Sequence, residues 1–204
     1  MQTLANSKLS VFDRLCAEAA SCNKCPNMKG RRPVLGPRNG NLDAKIMFIA
    51  EAPGRLGAEI YRVPLYGDAS GKNFDQFLLS SGLSRDDIFI TNSVLCNPQN
   101  DNNLNRKPSI HELHNCIYFL TKTVEVISPK IIVPLGSNAL RSINIIFKSN
   151  YQLKSDIASA INLDNRYTLF PLYHPSPLAL IRRPKSLQLQ DYDTLKEIMA
   201  NDKQ

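Results

Sequence analysis

Four short apolar runs stand out along the chain: KIMFIA at 45–50, IFITNSVL at 88–95, KIIVPLG at 130–136 and YTLFPLY at 167–173. They are rich in Ile, Val and Phe and nearly continuous in apolar character, so each reads as a strand buried on both faces. Pro171 cannot donate to a ladder, which predicts that the last strand ends early or lies at an edge. Helical spacing fills the intervals. Phe74, Phe77 and Leu78 share a face, with Ser70 as N-cap and Gly82 as stop. SIHE, from Ser109 to Glu112, is a capping box that opens a helix over 109–127, with Leu113, Ile117, Leu120, Val124 and Ile127 on one side. A third helix starts after Gly136 and a fourth closes the chain at DYDTLKEIMA, residues 191–200. Alternation of strand and helix predicts an α/β fold, a three-layer α/β/α arrangement around a four-stranded parallel sheet.

Such sheets bind ligands at the carboxyl ends of their strands. The unusual loops of this chain fall there: 51–71, 92–108 and the stretch after His174. The first carries Glu51, Glu59 and Asp68 among turn-forming residues, and it offers the backbone amides of 51–54 and 67–71 to an anion or a carbonyl oxygen. A Gly- and Pro-rich connection without that role would read the same. Asn92 ends the second strand, where an amide can give and accept hydrogen bonds on the edge of a base, or else cap a turn. His174 follows the fourth strand, ahead of LALIRRPK. An apolar wedge beside Arg182, Arg183 and Lys185 suits unstacking a duplex and holding its phosphates; a solvated basic turn has the same composition.

Composition narrows the picture. With 204 residues, 43% of them hydrophobic, the expectation is one domain over 1–204. The 25 Lys and Arg exceed the 18 Asp and Glu, and a formal charge of +7 favours phosphate-rich partners without naming one. No run approaches the ~18 apolar residues of a membrane span, and none at the start resembles a signal peptide, so the expected location is cytoplasmic. In that reducing compartment the five cysteines are read for metal or redox chemistry. Cys22 and Cys25 form a Cys-x-x-Cys pair, Cys96 follows the second strand and Cys116 lies on the next helix. Converging thiolates would suit a [4Fe-4S] cluster or tetrahedral zinc. Cys116 also fits as a packing residue beside Leu113 and Leu120, and Cys16 is left to pack in the first helix.

The stretches CNKC, GNLDAKIMFIAEAPG, GDASG, ITNSVLC, NRKPS, LGSNAL and YHPSPL occur in an order that resembles the uracil-DNA glycosylase superfamily, most closely its iron-sulfur families 4 and 5, over nearly the whole chain. The resemblance implies the family's four-stranded sheet, removal of uracil from DNA after base flipping, and a monomer acting in base excision repair. It implies that Cys22, Cys25, Cys96 and Cys116 hold a structural [4Fe-4S] cluster. Asp68 would be the catalytic acid, as in the family 5 GD element, and His174 would hold the departing anion. Asn92 would read the uracil edge, in a substrate pocket with Glu51, Ala52, Pro53 and Gly54. Ser176, Pro177, Leu178, Arg182 and Arg183 would meet DNA. Glu59, in the variable middle of the loop, is expected to be solvated.

Two departures bear on substrate. EAPG and Asn92 are family 4 features, whereas the spacing to GDASG is that of family 5. Leu65 stands where both families place an aromatic that stacks on the base, with Tyr66 adjacent, so a deaminated base such as hypoxanthine is an alternative to uracil. Relatives that hold single-stranded DNA covalently carry a basic, His-containing loop after the third cluster ligand. Here NPQNDNNLNRKPS has no histidine before His111, which ranks that reading lower. A non-catalytic, metal-stabilised DNA-binding module would share the cysteines and the charge but gives no reason for Asp68, Asn92 and His174 to lie together.

Overall fold

The computed structural model describes residues 2–201. In chain order the elements are α1 (Gln2–Ala20), β1 (Ile46–Ala50), α2 (Ala58–Tyr61), α3 (Ala69–Ser80), β2 (Ile88–Asn92), α4 (Ile110–Ile127) and β3 (Ile131–Pro134). There follow α5 (Ser137–Phe147), α6 (Leu153–Asp156), β4 (Ile161–Leu163), β5 (Tyr167–Leu169), α7 (Pro177–Arg182) and α8 (Lys185–Asn201).

The sheet has five strands in the order β2-β1-β3-β5-β4, with four parallel and β4 antiparallel to β5. This corrects the expected four-stranded, all-parallel sheet. The added strand comes from a tight hairpin: Asp164 and Asn165 both take left-handed backbone, with φ of 57° and 52°. Short polar side chains tolerate that conformation, and it matches the twist of paired strands. Asn165 N–H also donates to Asn162 Oδ1 at 3.0 Å, bracing the turn. As a result β5 ends at Leu169, before Pro171, and β4 rather than β5 takes the edge.

Alternating residues of each strand feed two cores, which makes the fold a three-layer α/β/α sandwich. On one face Met47, Ile49, Phe89 and Ile132 pack against Phe12 of α1, Leu120 and Val124 of α4, and Leu140 and Ile143 of α5. On the other, Ile46, Phe48, Ile88, Ile90 and Val133 pack against Phe74 and Phe77 of α3 and Tyr192 and Leu195 of α8. All residues of β1 are buried, as its unbroken apolar run predicts.

Helix ends follow local chemistry. Ser109 and Glu112 form the expected capping box of α4. For α3 the cap is Asp68, two residues ahead of the expected Ser70, because an aspartate in extended backbone reaches the Gly71 amide. Helix α8 begins at Lys185, ahead of the expected 191. Among the described residues no helix is long and apolar enough to cross a membrane.

Tyr192 packs against Phe48 and Phe77, with ring centroids 6.0 and 5.3 Å away, and its buried hydroxyl has no hydrogen-bond partner among the described residues. An unsatisfied buried hydroxyl costs about 1–3 kcal/mol, so removing it costs little. Tyr192→Phe is therefore expected to hold or raise the melting temperature, by roughly 2–4 °C per kcal/mol gained for a domain of this size. A drop in calorimetry would show that the hydroxyl has a partner.

Candidate active site

The loops leaving β1, β2 and β5 line one pocket of about 430 Å³. Glu51, Ala52, Pro53 and Gly54 come from the turn after β1, Leu65 and Asp68 from the approach to α3, and Asn92 from the end of β2. His174, Ser176 and Leu178 come from the segment after β5. Asn105, Arg106 and Lys107 also line it, and these the sequence reading did not single out. The signal was the NRKP stretch itself, whose polar and basic residues follow an Asn-rich insert at the ligand-binding edge of the sheet.

Asp68 caps α3: its Oδ1 accepts from the Gly71 amide at 2.9 Å. The other carboxylate oxygen lies over two glycines, and a Cβ would come within 3.0 Å of it at Gly54 and 2.9 Å at Gly57. At Gly57 the same Cβ would stand 2.5 Å from the Tyr66 carbonyl oxygen, so any side chain there would displace the loop. Glu51 is held differently. Its Oε2 accepts from Asn138 Nδ2 at 2.9 Å, and its carbonyl accepts from the Val94 amide at 3.1 Å. Glu59 is not a solvated residue as expected: it pairs with Arg31 at 3.0 Å and accepts from Gln99 Nε2 at 3.1 Å, joining α2 to the 97–107 loop.

Asn97 Nδ2 donates to the Pro53 carbonyl and, at 2.9 Å, to Asn105 Oδ1, which also accepts from the Arg55 amide at 3.1 Å. Two amide side chains thus tie the turn after β1 to the 97–107 loop. Arg106 is spent on Glu112, in a bidentate pair with one contact at 2.8 Å.

Asn92 is 2% exposed, and its Nδ2 has no hydrogen-bond partner among the described residues. A buried amide donor without an acceptor is costly, and a ligand carbonyl would satisfy it. Burial pushes the His174 imidazole down to about 4, against the opposing pull of the Asp68 charge. The ring is therefore neutral near pH 7 and keeps one N–H to donate.

Leu65 faces the pocket from a left-handed backbone, φ 49°, while Tyr66 is exposed outside it, its ring edge-to-face with Tyr61 at 5.5 Å. Ser176, which lines the pocket with Leu178, caps α7, and on that helix Leu178 and Ile181 are 73% and 79% exposed. Arg182 is exposed near them. Arg183 is turned inward to a bidentate pair with Asp191. Pro177 opens α7.

Residues 37–196 match the sequence profile of the Uracil DNA glycosylase superfamily. The chain belongs to that superfamily.

Among its relatives, the type-4 uracil-DNA glycosylase of Saccharolobus solfataricus is 33% identical, covering 93% of this chain and 87% of its own. That of Archaeoglobus fulgidus is 32% identical over 92% of each chain. The type-5 uracil-DNA glycosylase of Pyrobaculum aerophilum is 26% identical over 82% of this chain and 83% of its own. Both families named from the motifs are thus represented, with the type-4 likeness the stronger.

Superfamily membership does not carry the iron-sulfur expectation with it. Cys22, Cys25, Cys96 and Cys116 line a second cavity of about 330 Å³. Yet among the described residues no group of three or more His, Cys, Asp or Glu is placed to hold a metal ion, so neither the [4Fe-4S] cluster nor zinc fits, and the metal-ligand roles expected of these cysteines are withdrawn. Burial pushes the Cys96 thiol up to about 11 and Cys116 to about 12, and the charges of the neighbouring cysteines add to both shifts. Cys116 instead accepts the Leu95 amide at 3.5 Å and packs with Leu15, Met28, Leu113 and Phe119 in a third apolar cluster, which Cys25 and Cys96 flank. Cys16 packs on the core beneath α1, as expected.

The His174 shift makes a pH prediction. Its folded pKa lies below the ordinary 6.5, so as pH falls the unfolded chain takes up the proton first. The associated stability is intact above about 6.5 and is lost as pH falls toward about 4. NMR should show the His174 ring resonances unmoved between about pH 5 and 8. A titration midpoint above pH 6 would show that burial does not govern this ring.

Proposed function

We infer that this protein is a uracil-DNA glycosylase that hydrolyses the N-glycosidic bond of uracil in DNA and so initiates base excision repair, with Asp68, Asn92 and His174 at its centre. The observation that carries the reading is the convergence, on one pocket at the carboxyl edge of the sheet, of a helix-capping carboxylate, a buried amide without a partner among the described residues and a neutral imidazole. Membership of the superfamily and similarity to type-4 uracil-DNA glycosylases support it.

The chemistry follows from charge. A base within a duplex is out of reach of a pocket, so the nucleotide is extruded into it at a cost of a few kcal/mol in stacking. Leu178 and Ile181 form the wedge that fills the gap, and Arg182 and Lys107 meet the phosphates. Arg183, paired with Asp191, shapes the α7–α8 turn rather than holding DNA. Asn92 donates to one ring carbonyl and accepts the ring N–H, a pair that cytosine cannot complete. As the glycosidic bond breaks, positive charge grows on the sugar and negative charge on the uracil O2. Asp68 stabilises the cation and orients water, while the His174 N–H strengthens its bond to O2 as charge accumulates there. Glu51, Ala52, Pro53 and Gly54 form the floor and Leu65 an aliphatic wall.

Wild-type protein is expected to leave alkali-labile abasic sites in a uracil-containing oligonucleotide. Asp68→Asn should lower single-turnover release by about 10²–10⁴-fold while DNA affinity stays near wild type. Intact wild-type product after alkali, or wild-type rates in the variant, would overturn the activity or the assignment of the acid respectively.

A further inference from the structure

We propose that Arg85, in the connection between α3 and β2, is a positioning residue for base release, acting through the backbone of residues 64–68 to place Leu65 and Asp68 in the pocket. The proposal deepens the glycosylase reading and rests on it.

Every nitrogen of the Arg85 guanidinium is engaged. Nη1 donates to the Pro64 carbonyl at 3.0 Å, Nη2 to the Leu65 carbonyl, and Nε to Asp75 Oδ1 at 2.7 Å. The guanidinium carbon lies 5.6 Å from the centroid of Tyr66 and 5.5 Å from that of Phe74. A planar fork is the group that can grip two successive carbonyls while contacting aromatic rings. Arg85 does not touch the pocket, which excludes a catalytic role.

The segment it grips needs holding. Leu65 and Gly67 have φ of 49° and 85°, and the left-handed region is unfavourable for a leucine, so surrounding contacts must impose it. The Leu65 carbonyl is trapped on its other side by α3, since a Cβ on Gly71 would stand 2.6 Å from it. Gly71 is also the residue whose amide fixes Asp68. Tyr61 covers Gly67 closely enough that a Cβ there would come within 2.2 Å of its ring. Arg85 thus closes a short mechanical path, from guanidinium to the Leu65 carbonyl to the first turn of α3 and the carboxylate it presents. Displacement of a reacting group by about 1 Å costs on the order of 10²-fold in rate, so a loosened loop is expected to show in turnover.

The experiment is single-turnover release of uracil from a labelled oligonucleotide by wild type, Arg85→Lys, Arg85→Gln, Asp68→Asn and the Arg85→Lys/Asp68→Asn double variant, with DNA affinity measured alongside. Arg85→Lys keeps the charge and the Asp75 partner, so it tests the fork without threatening the fold. It is expected to slow release by roughly tenfold, and Arg85→Gln by up to roughly 10²-fold, with DNA affinity within about threefold of wild type. In the Asp68→Asn background the Arg85→Lys loss should shrink to less than about threefold, because both changes act on one group. General destabilisation would leave the two losses multiplicative. Wild-type rates in Arg85→Lys, or losses that multiply in the double variant, would overturn the positioning role while the glycosylase reading stands. A wild type that releases no uracil would overturn both.

Discussion

Parallel pairing on both sides of β1 is the constraint on which the rest of the molecule depends. Ile46–Ala50 register against Ile88–Asn92 on one side, and Ile46–Ile49 against Ile131–Pro134 on the other. Strands that run the same way end on the same edge, so the loops carrying Glu51, Asn92 and His174 emerge together however far apart they lie in sequence. The pairing also continues past the regular strands. Ser93 N–H donates to the Ala50 carbonyl at 2.8 Å, Val94 to Glu51 at 3.1 Å, and Gly136 to Leu172 at 2.8 Å. The pocket floor is thereby an extension of the sheet, with its rigidity.

Beyond the floor, the loops are held by side chains reaching across from other elements. Arg85 grips 64–65, Asn138 holds Glu51, and Asn97 joins Pro53 to Asn105. These are polar contacts in half-buried surroundings, where a hydrogen bond to a fixed partner restricts a loop more than apolar contact does. Against them stand buried groups without partners among the described residues, at and just beyond the end of β2: Thr91 Oγ1, Asn92 Nδ2, Ser93 Oγ and Asn97 Oδ1. Each would cost about 1–3 kcal/mol if left dry. A cluster of them beside the pocket is what a site looks like when it is built for a polar ligand at the expense of stability.

What was legible in sequence was whatever leaves a periodic or short-range trace. The parallel strands show as apolar runs, α4 as a capping box ahead of a helical stripe, and the ligand edge follows from strand polarity; that polarity puts the loops carrying Asp68, Asn92 and His174 on one edge, while the choice of these three came from the family resemblance. Strand β4 was missed because its three residues are too few for a pattern, although the Asp164-Asn165 pair is a hairpin turn signal. Arg85, Asn105 and Asn138 were missed for a different reason. Their partners lie 20, 50 and 87 residues away, and a long-range bond from a side chain to a loop has no spacing rule. Glu59 and the cysteines show the converse. A charged residue in a variable loop is paired, and a spacing that suits metal places Cys116 in an apolar cluster that Cys25 and Cys96 flank.

The protonation of His174 bears directly on how the proposed chemistry works. Were the imidazole charged, the Asp68 carboxylate and the imidazolium would attract each other in the free enzyme, and both charges would be partly neutralised before substrate arrived. Burial outweighs the attraction of Asp68 and keeps the ring neutral. Asp68 is then free to respond to positive charge on the sugar. The imidazole N–H gives a bond that is weak to a neutral carbonyl and strong to an oxyanion, which is the difference that lowers a barrier. A full positive charge would bind the ground-state carbonyl and the developing anion more evenly. It would also be solvated by any water left in the cleft. A neutral donor in a site that water leaves when the base enters loses neither advantage, so in the proposed chemistry the same burial that makes the histidine a poor base suits it to selective stabilisation of the leaving anion.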